Sequence, residues 1–432
     1  MYIEKLIGNL FKKFKKKNID ISLSGLCHFS NSEAVLANDY LTKIVLQKNY
    51  FLFFISFLKH IYGISKLHNI KILKSKNFSI KKNKKIKIYV SWGNKNSFDS
   101  KGNFRDKITG LQSNNKNIYF LIIYESIKIP RVIKKNIALI HINGSKNYFF
   151  LFKFVLGYIF HNFLNPSNLL HYLNFASQFS LVLFEKFNIL FKSKNITSIH
   201  FPYEGQQFQN YLIKKIKEKN KKIRFVGYLS HMHSFQTDVF KREGAPDILY
   251  LFSPAQKKYL KSYLGWSNKQ LKLIYSYRLE HKKKNNLSGN VYFSYKLNNK
   301  KKILNDFRLL LNSKKQLPNL NFLTHPNPYN QKDQEIFKKN LLKIYQQNKV
   351  SQKNSRKKIA IVIGISTTIF FLLEHGIEVI HFHSNNYLEK LNPRGWKNIK
   401  VKEINDSVSI YKLTKYKTLI KMKKTKKLLK LN

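Results

Sequence analysis

The spacing of apolar residues changes character near residue 80, and the change predicts where a sheet begins. Residues 1–80 carry apolar positions at helical spacing, and a lysine-rich stretch, 71–87, leads out of them. Beyond it, short β-branched and aromatic runs alternate with longer amphipathic ones, the pattern of a parallel sheet with crossover helices. Strands are predicted at 86–92, 118–124, 137–142, 196–201, 223–229 and 248–252, and helical chain at about 149–191, 206–220 and 253–264. The last helix takes Ser253 as N-cap and Pro254 as its first residue. A break follows the run 271–275, and the polar segment 281–289 has no apolar period and reads as a linker. A second series follows, with strands at 291–295, 320–324, 358–365 and 378–382 and helices at 301–311, 333–346 and 367–375. The expected fold class is α/β: two doubly wound Rossmann-like domains, 81–280 and 281–411, facing an interdomain cleft. An N-terminal helical region, 1–80, precedes them, and a basic tail, 412–432, follows as a helix or frayed end.

A chain of 432 residues with 43% hydrophobic residues can fill both cores. The 80 Lys and Arg outnumber the 22 Asp and Glu, for a formal charge of +58. Such a field attracts nucleic acid, anionic lipid or phosphorylated substrates. The same excess also follows from codon choice in an AT-rich genome, so charge alone names no partner. The lysines are spread throughout rather than gathered on one module, which argues against a nucleic-acid binder. Cys27 is the single cysteine, which excludes an internal disulfide framework and a thiolate metal cluster and suits the cytoplasm. Two aromatic, apolar runs, 50–58 and 148–163, are too short or too interrupted to span a bilayer. They suit either buried helices or shallow attachment to an anionic leaflet.

The richest stretch for chemistry is 358–376. An apolar strand runs into Gly364, then Ser366, Thr367 and Thr368 open a helix that ends at Gly376. Free N–H groups and the dipole at such a helix start suit an anion, and the same residues also suit a plain N-cap. His325, followed by Pro326, ends another strand and can donate to a phosphate oxygen. In the first half, Glu204-Gly205 follows a strand directly, where a base that activates an acceptor would stand; Glu243-Gly244 is a second acidic–glycine pair. His231 and His233 lie between them, suited to hydrogen bonding with substrate more than to metal. His381 and His383 share the same spacing and read as a pair at the rim of the crevice. Arg278, at the junction, can clamp a phosphate. The chain has no P-loop, dinucleotide fingerprint, nucleophile elbow, zinc spacing or Asp-x-Asp pair.

Glu204-Gly205, then His325-Pro326, then Ser366-Thr367, spread over two βαβ halves, resembles the GT-B bacterial sialyltransferases and related capsule-polysaccharide transferases. The resemblance covers roughly residues 196–385. It implies Glu204 as base, and His325, Ser366 and Thr367 as groups that hold the donor phosphate. It also implies an inverting, metal-independent glycosyltransferase using a nucleotide-activated sugar, with no cofactor besides that co-substrate. Tyr203 stands where the family has a first acidic residue. Phe371 stands where UDP-sugar enzymes place a ribose-binding glutamate, which favours a CMP-sialic acid or CMP-Kdo type of donor. The expected partners are that donor, a glycan or glycolipid acceptor of capsule or lipopolysaccharide, and an anionic membrane surface. The expected place is the cytoplasm, at the inner membrane if peripheral. The competing readings are a GT-B-like epimerase or inactive scaffold, and a basic nucleic-acid-binding protein.

Overall fold

The computed structural model describes residues 67–421 except 68–69, 81–83, 107, 115–116, 125, 143–174, 193, 230–231, 233–238, 240, 242, 277–286, 296, 298, 314–316, 327–329, 349–357, 365, 384–389, 392–395 and 415–417; on the first helix the side chains of 175–177 are also left aside. The apolar runs 50–58 and 148–163, most of the expected helical region 1–80, and Arg278, His231 and His233 lie outside the described residues.

The first unit is an eight-stranded sheet in the order β1-β4-β3-β2-β5-β6-β7-β8. Its strands are β1 (Lys71–Lys74), β2 (Ile86–Gly93), β3 (Ile118–Tyr124), β4 (Ile137–His141), β5 (Ile196–Phe201), β6 (Arg224–Tyr228), β7 (Ile248–Leu251) and β8 (Leu271–Leu273). β2 to β8 are parallel, and β1 closes the edge antiparallel to β4. Residues 71–74 are therefore a strand, not helix. Two adjacent apolar residues between lysines carry no clear period, and the free edge of β4 supplies the backbone partners.

Helices α1 (Phe175–Phe191), α2 (Gln207–Lys219) and α3 (Pro254–Tyr263) complete this unit. Ser253 caps α3 as its sequence predicts, its Oγ accepting the Gln256 N–H at 3.0 Å. Phe179, Leu183, Phe208, Leu212 and Leu260 from these helices all pack into one cluster with Ile88, Val90, Leu121 and Ile199 of the sheet. The opposite face, with Tyr89, Phe120, Ile122 and Leu139, is covered by Phe104 and Leu111 of the chain between β2 and β3. Among the described residues, then, this sheet has helices on one face only, not the two expected of a doubly wound domain. Residues 94–114 are polar and carry Gly102 and Gly110 at positive φ, so they wrap as loops.

The second sheet has six strands in the order β10-β9-β11-β12-β14-β13. They are β9 (Asn290–Phe293), β10 (Asn321–Leu323), β11 (Ile359–Ile363), β12 (Glu378–Phe382), β13 (Ile399–Asn405) and β14 (Val408–Leu413). The first four are parallel, while β14 runs antiparallel to both β12 and β13. Helices α4 (Lys300–Asn312) and α5 (Gln331–Gln347) cover one face and the short α6 (Thr368–Glu374) the other. β11 shows the alternation: Ile359, Ile361 and Ile363 face α4 and α5, and Ala360 and Val362 face α6. The hairpin β13–β14 lies where the sequence pattern predicts no strand, and Lys412 and Leu413, which that pattern assigns to the tail, belong to β14. The chain is thus mixed α/β with two largely parallel sheets and six α-helices among the described residues, compatible with a two-domain α/β fold.

The C-terminal edge of the first sheet abuts the second unit. Met232 and Phe252, which follow β6 and β7, pack into the cluster formed by Val362, Phe370 and Trp396. Tyr259 of α3 stacks on Trp396 with ring centroids 5.6 Å apart. Residues 418–421 bind both units: Glu374 Oε2 accepts the N–H groups of Leu419 and Ile420, Lys421 N–H donates to Phe252 O, and Lys421 O accepts from Ser276. Among the described residues no helix is long and apolar enough to cross a membrane.

Candidate functional site

The first sheet reverses its strand order between β2 and β5, and open parallel sheets bind ligands beyond the carboxyl ends of strands at such a reversal. Trp92 stands at the end of β2, and Pro202 to Gly205 follow β5. The indole N–H of Trp92 donates to Gln206 Oε1 at 3.0 Å, and Gln206 Nε2 donates to Glu204 Oε2 at 3.0 Å. An indole N–H can only donate, so Trp92 fixes which end of the Gln206 amide meets the carboxylate: the NH2. The half-buried Glu204 is therefore held in one orientation by a donor to its Oε2.

The backbone under this carboxylate is knitted by the first turn of α2. Gln209 Oε1 accepts the N–H groups of Glu204 and Gln206, while its Nε2 donates to Pro202 O. Asn210 Nδ2 donates to the carbonyls of Gly205 and Gln206. Tyr203, at the position where the resembled family has an acid, is fully buried, donates to Asn210 Oδ1 at 2.8 Å and meets Trp266 edge-on. Its role here is to lock the turn into the core. Gly205 takes φ +72°, which lets the chain leave the strand and enter the helix at once. The neighbouring Gln207 is fully buried, and among the described residues neither of its amide atoms has a partner.

Gly227 on β6 makes room for Tyr203. A Cβ there would lie 2.8 Å from Tyr203 Cβ and 2.9 Å from Leu249 Cδ1. Gly227→Ala is expected to destabilise the protein by about 1–3 kcal/mol through overpacking, read as a lower urea midpoint at unchanged slope.

Glu243 differs from Glu204. It is exposed and ion-paired to Lys214 of α2 at 3.2 Å, a surface pair of small energetic weight. Its partner in sequence, Gly244, adopts φ +77°, and a Cβ there would strike Asn210 O at 2.1 Å. Close packing against α2 explains this acidic–glycine pair.

The second sheet reverses order between β9 and β11. The buried Gln334 of α5 ties the strand ends together: its Oε1 accepts His325 N–H, and its Nε2 donates to Ser294 O and Tyr295 O. The His325 ring meets Tyr295 edge-on at 5.7 Å, so the imidazole stands at the end of β10 in a defined pose. After β11 the chain turns at Gly364, φ +77°. Ser366 Oγ donates to Thr368 Oγ1 at 2.9 Å and accepts the Thr368 N–H at 3.2 Å, so this hydroxyl caps the helix. Thr367 Oγ1 accepts the N–H of Met232 at 3.3 Å, a direct bridge from the loop after β6 to the start of α6. The three hydroxyls are thus gathered at one helix start, against the loop beside the strand that carries Glu204.

His381 and His383 are not at a rim. Both are buried, with rings 5.6 Å apart. His381 Nε2 donates to Gly364 O at 2.9 Å, and its Nδ1 accepts from Tyr411 OH at 3.1 Å. Tyr411 OH also accepts the Leu391 N–H, which leaves its own proton for Nδ1, and burial, followed by the field of His383, lowers the ring's pKa to about 3. His381 supports the Gly364 turn from inside. No cluster of three or more His, Cys, Asp or Glu fit to hold a metal occurs among the described residues.

Trp92, Gln206, Gln209 and Gln334 had no signal in the sequence beyond lying near strand ends, because each works through a fold-made contact. Compared with known proteins, the chain matches no family model and no curated protein.

Proposed function

We propose that this chain is an inverting glycosyltransferase of GT-B architecture that draws on a nucleotide-activated sugar, of the CMP-sugar type, and serves surface glycan synthesis. The observation that carries this reading is the oriented carboxylate of Glu204 at one sheet's switch point, on the edge whose neighbouring loop bridges to Thr367 at the other's. In this mechanism Glu204 accepts the proton of an acceptor hydroxyl. The freed oxygen attacks the anomeric carbon, and the bond from that carbon to the phosphate oxygen breaks on the opposite face. The negative charge left on the nucleotide phosphate is met by His325 and by the hydroxyls of Ser366, Thr367 and Thr368, with Arg278 as a further cation. Gly205, His231 and His233 would border the acceptor.

A thermal-shift panel of CMP, CDP, UDP and GDP tests the donor site. At about a hundredfold excess over Kd, CMP is expected to raise Tm by roughly 3 °C. His325→Ala should lose most of that rise while keeping its own Tm near that of the parent. If none of the four nucleotides moves Tm, the donor site is misassigned.

A further inference from the structure

Beyond β3 the chain presents a loop whose side chains are arranged against ordinary expectation. Ile127, Ile129 and Val132 are 89%, 47% and 50% exposed, within six residues of one another. Lys128, Arg131, Lys134 and Lys135 are exposed among them, and residues 126–136 contain no carboxylate. Asp99, on an adjoining loop, accepts from Asn103 and from the N–H of Lys101, and of these cations Lys134 is near enough for its charge to stabilise the Asp99 carboxylate.

The loop is built, not frayed. Tyr124 OH donates to Lys128 O at 2.5 Å, His141 Nε2 donates to Ser126 O at 3.0 Å, and Lys95 N–H donates to Ser126 Oγ at 3.0 Å. Ile133 packs on the core beneath, and Gly102 lies against Val132 O so closely that a Cβ would come within 2.6 Å of it. A backbone pinned at these points holds three aliphatic side chains out in water, an arrangement that burial elsewhere would relieve.

We infer that residues 127–135 form a docking surface for an anionic lipid bilayer. Aliphatic tips entering the acyl boundary, ringed by cations at headgroup level, match such an interface. A nucleic acid would reward the cations but gain little from isoleucine and valine, since it is stacked upon by aromatic faces. The chain's charge of +58 suits an anionic bilayer as it suits any polyanion, so the aliphatic tips decide between them.

The position of the loop gives it meaning. It follows the carboxyl end of β3, and Glu204 follows that of β5, with only β2 between them in the parallel sheet. Two strand spacings are roughly 10 Å, so the start of the loop, tied at Ser126 and Lys128, shares an edge with the carboxylate, while its far end, where Asn136 Nδ2 donates to Ile118 O, reaches the opposite end of β3. Docking through Ile127 and Ile129 would turn the Glu204 edge of the sheet toward the membrane, where a lipid-linked acceptor is delivered. This last step rests on the glycosyltransferase reading; bilayer docking itself does not.

The experiment is flotation of the full chain with vesicles of phosphatidylglycerol and phosphatidylcholine, beside vesicles of phosphatidylcholine alone. The parent should float with the anionic vesicles and not with the neutral ones. The exposed-residue variant Ile127→Ser/Ile129→Ser/Val132→Ser should bind at least about tenfold more weakly, with an unchanged Tm. As a second measurement, Ile127→Trp should add emission that brominated acyl chains quench, beyond any quenching seen in the parent. Undiminished binding by the triple variant, no quenching of the new tryptophan, or no binding by the parent each overturns the proposal. Transfer activity is not read, so this inference and the transferase reading fail separately.

Discussion

Replacing Glu204 by glutamine is expected to lower sugar transfer about a thousandfold, the middle of the range for loss of a general base. The substitution preserves shape and keeps a partner for Gln206, so Tm should stay within about 1 °C of the parent for a half-buried site of this kind. The nucleotide-dependent rise in Tm should survive, because the donor phosphate is assigned to the other sheet. Loss of transfer with donor binding intact isolates the carboxylate. Full activity in Glu204→Gln would remove it from the mechanism.

A companion substitution reads the positioning contact. Trp92→Phe deletes the donor that orients the Gln206 amide, so the amide can turn its oxygen toward Glu204. The carboxylate then loses its fixed aim, so kcat should fall about tenfold while the nucleotide-dependent rise in Tm stays at the parent value. A kcat equal to the parent's would show that Trp92 supports structure and nothing more.

Much of the scaffold was legible because its strands are buried on both faces. Ile118–Tyr124 is apolar throughout and buried throughout, so no alternation was needed to recognise it. The same holds for Ile359–Ile363. The hairpin β13–β14 escapes the sequence pattern because β13 is mostly exposed and its alternation of Ile399 and Val401 with lysine breaks at Lys402–Glu403, next to the register shift between Glu403 and Asn405. That miss had a consequence at the site. Without β14, His381 and His383 lay next to an open edge and read as a rim; with it, Tyr411 and Ser409 supply ring partners and close them in. Glu204 was visible from its place after a strand. Its support was not, since Trp92 and Gln206 lie 114 residues apart in sequence and meet only once β2 and β5 pair.

Acidification is expected to unfold the protein well above the pH at which its carboxylates titrate. Three buried histidines are held neutral. His200 lies between Ser198 Oγ and Tyr228 OH, and burial, followed by the charges of Lys87 and Arg224, lowers its pKa to about 3. His381 is lowered to about 3, and His383 to about 4, chiefly by burial and then by Lys390. In the unfolded chain each returns to about 6.5. The folded values lie below that, so the unfolded state binds the extra protons and stability falls as pH drops from about 6.5 toward 4. At pH 4.5 each ring contributes a loss of roughly 2–3 kcal/mol, against a total stability of about 5–15 kcal/mol. Asp106 works in the opposite sense: desolvation raises its carboxyl despite hydrogen bonds from Ser91, Thr109 and Ile108, so acid relieves a penalty there. One such group offsets only part of three. Because His200 is in the first sheet and His381 in the second, both sheets should weaken together. Urea midpoints at pH 7, 5.5 and 4.5 should fall steadily, and His200→Gln should be less stable at pH 7 yet show a shallower fall. A midpoint unchanged between pH 7 and 4.5 would mean that these rings accept protons without loss of the fold, and that their burial does not hold them neutral.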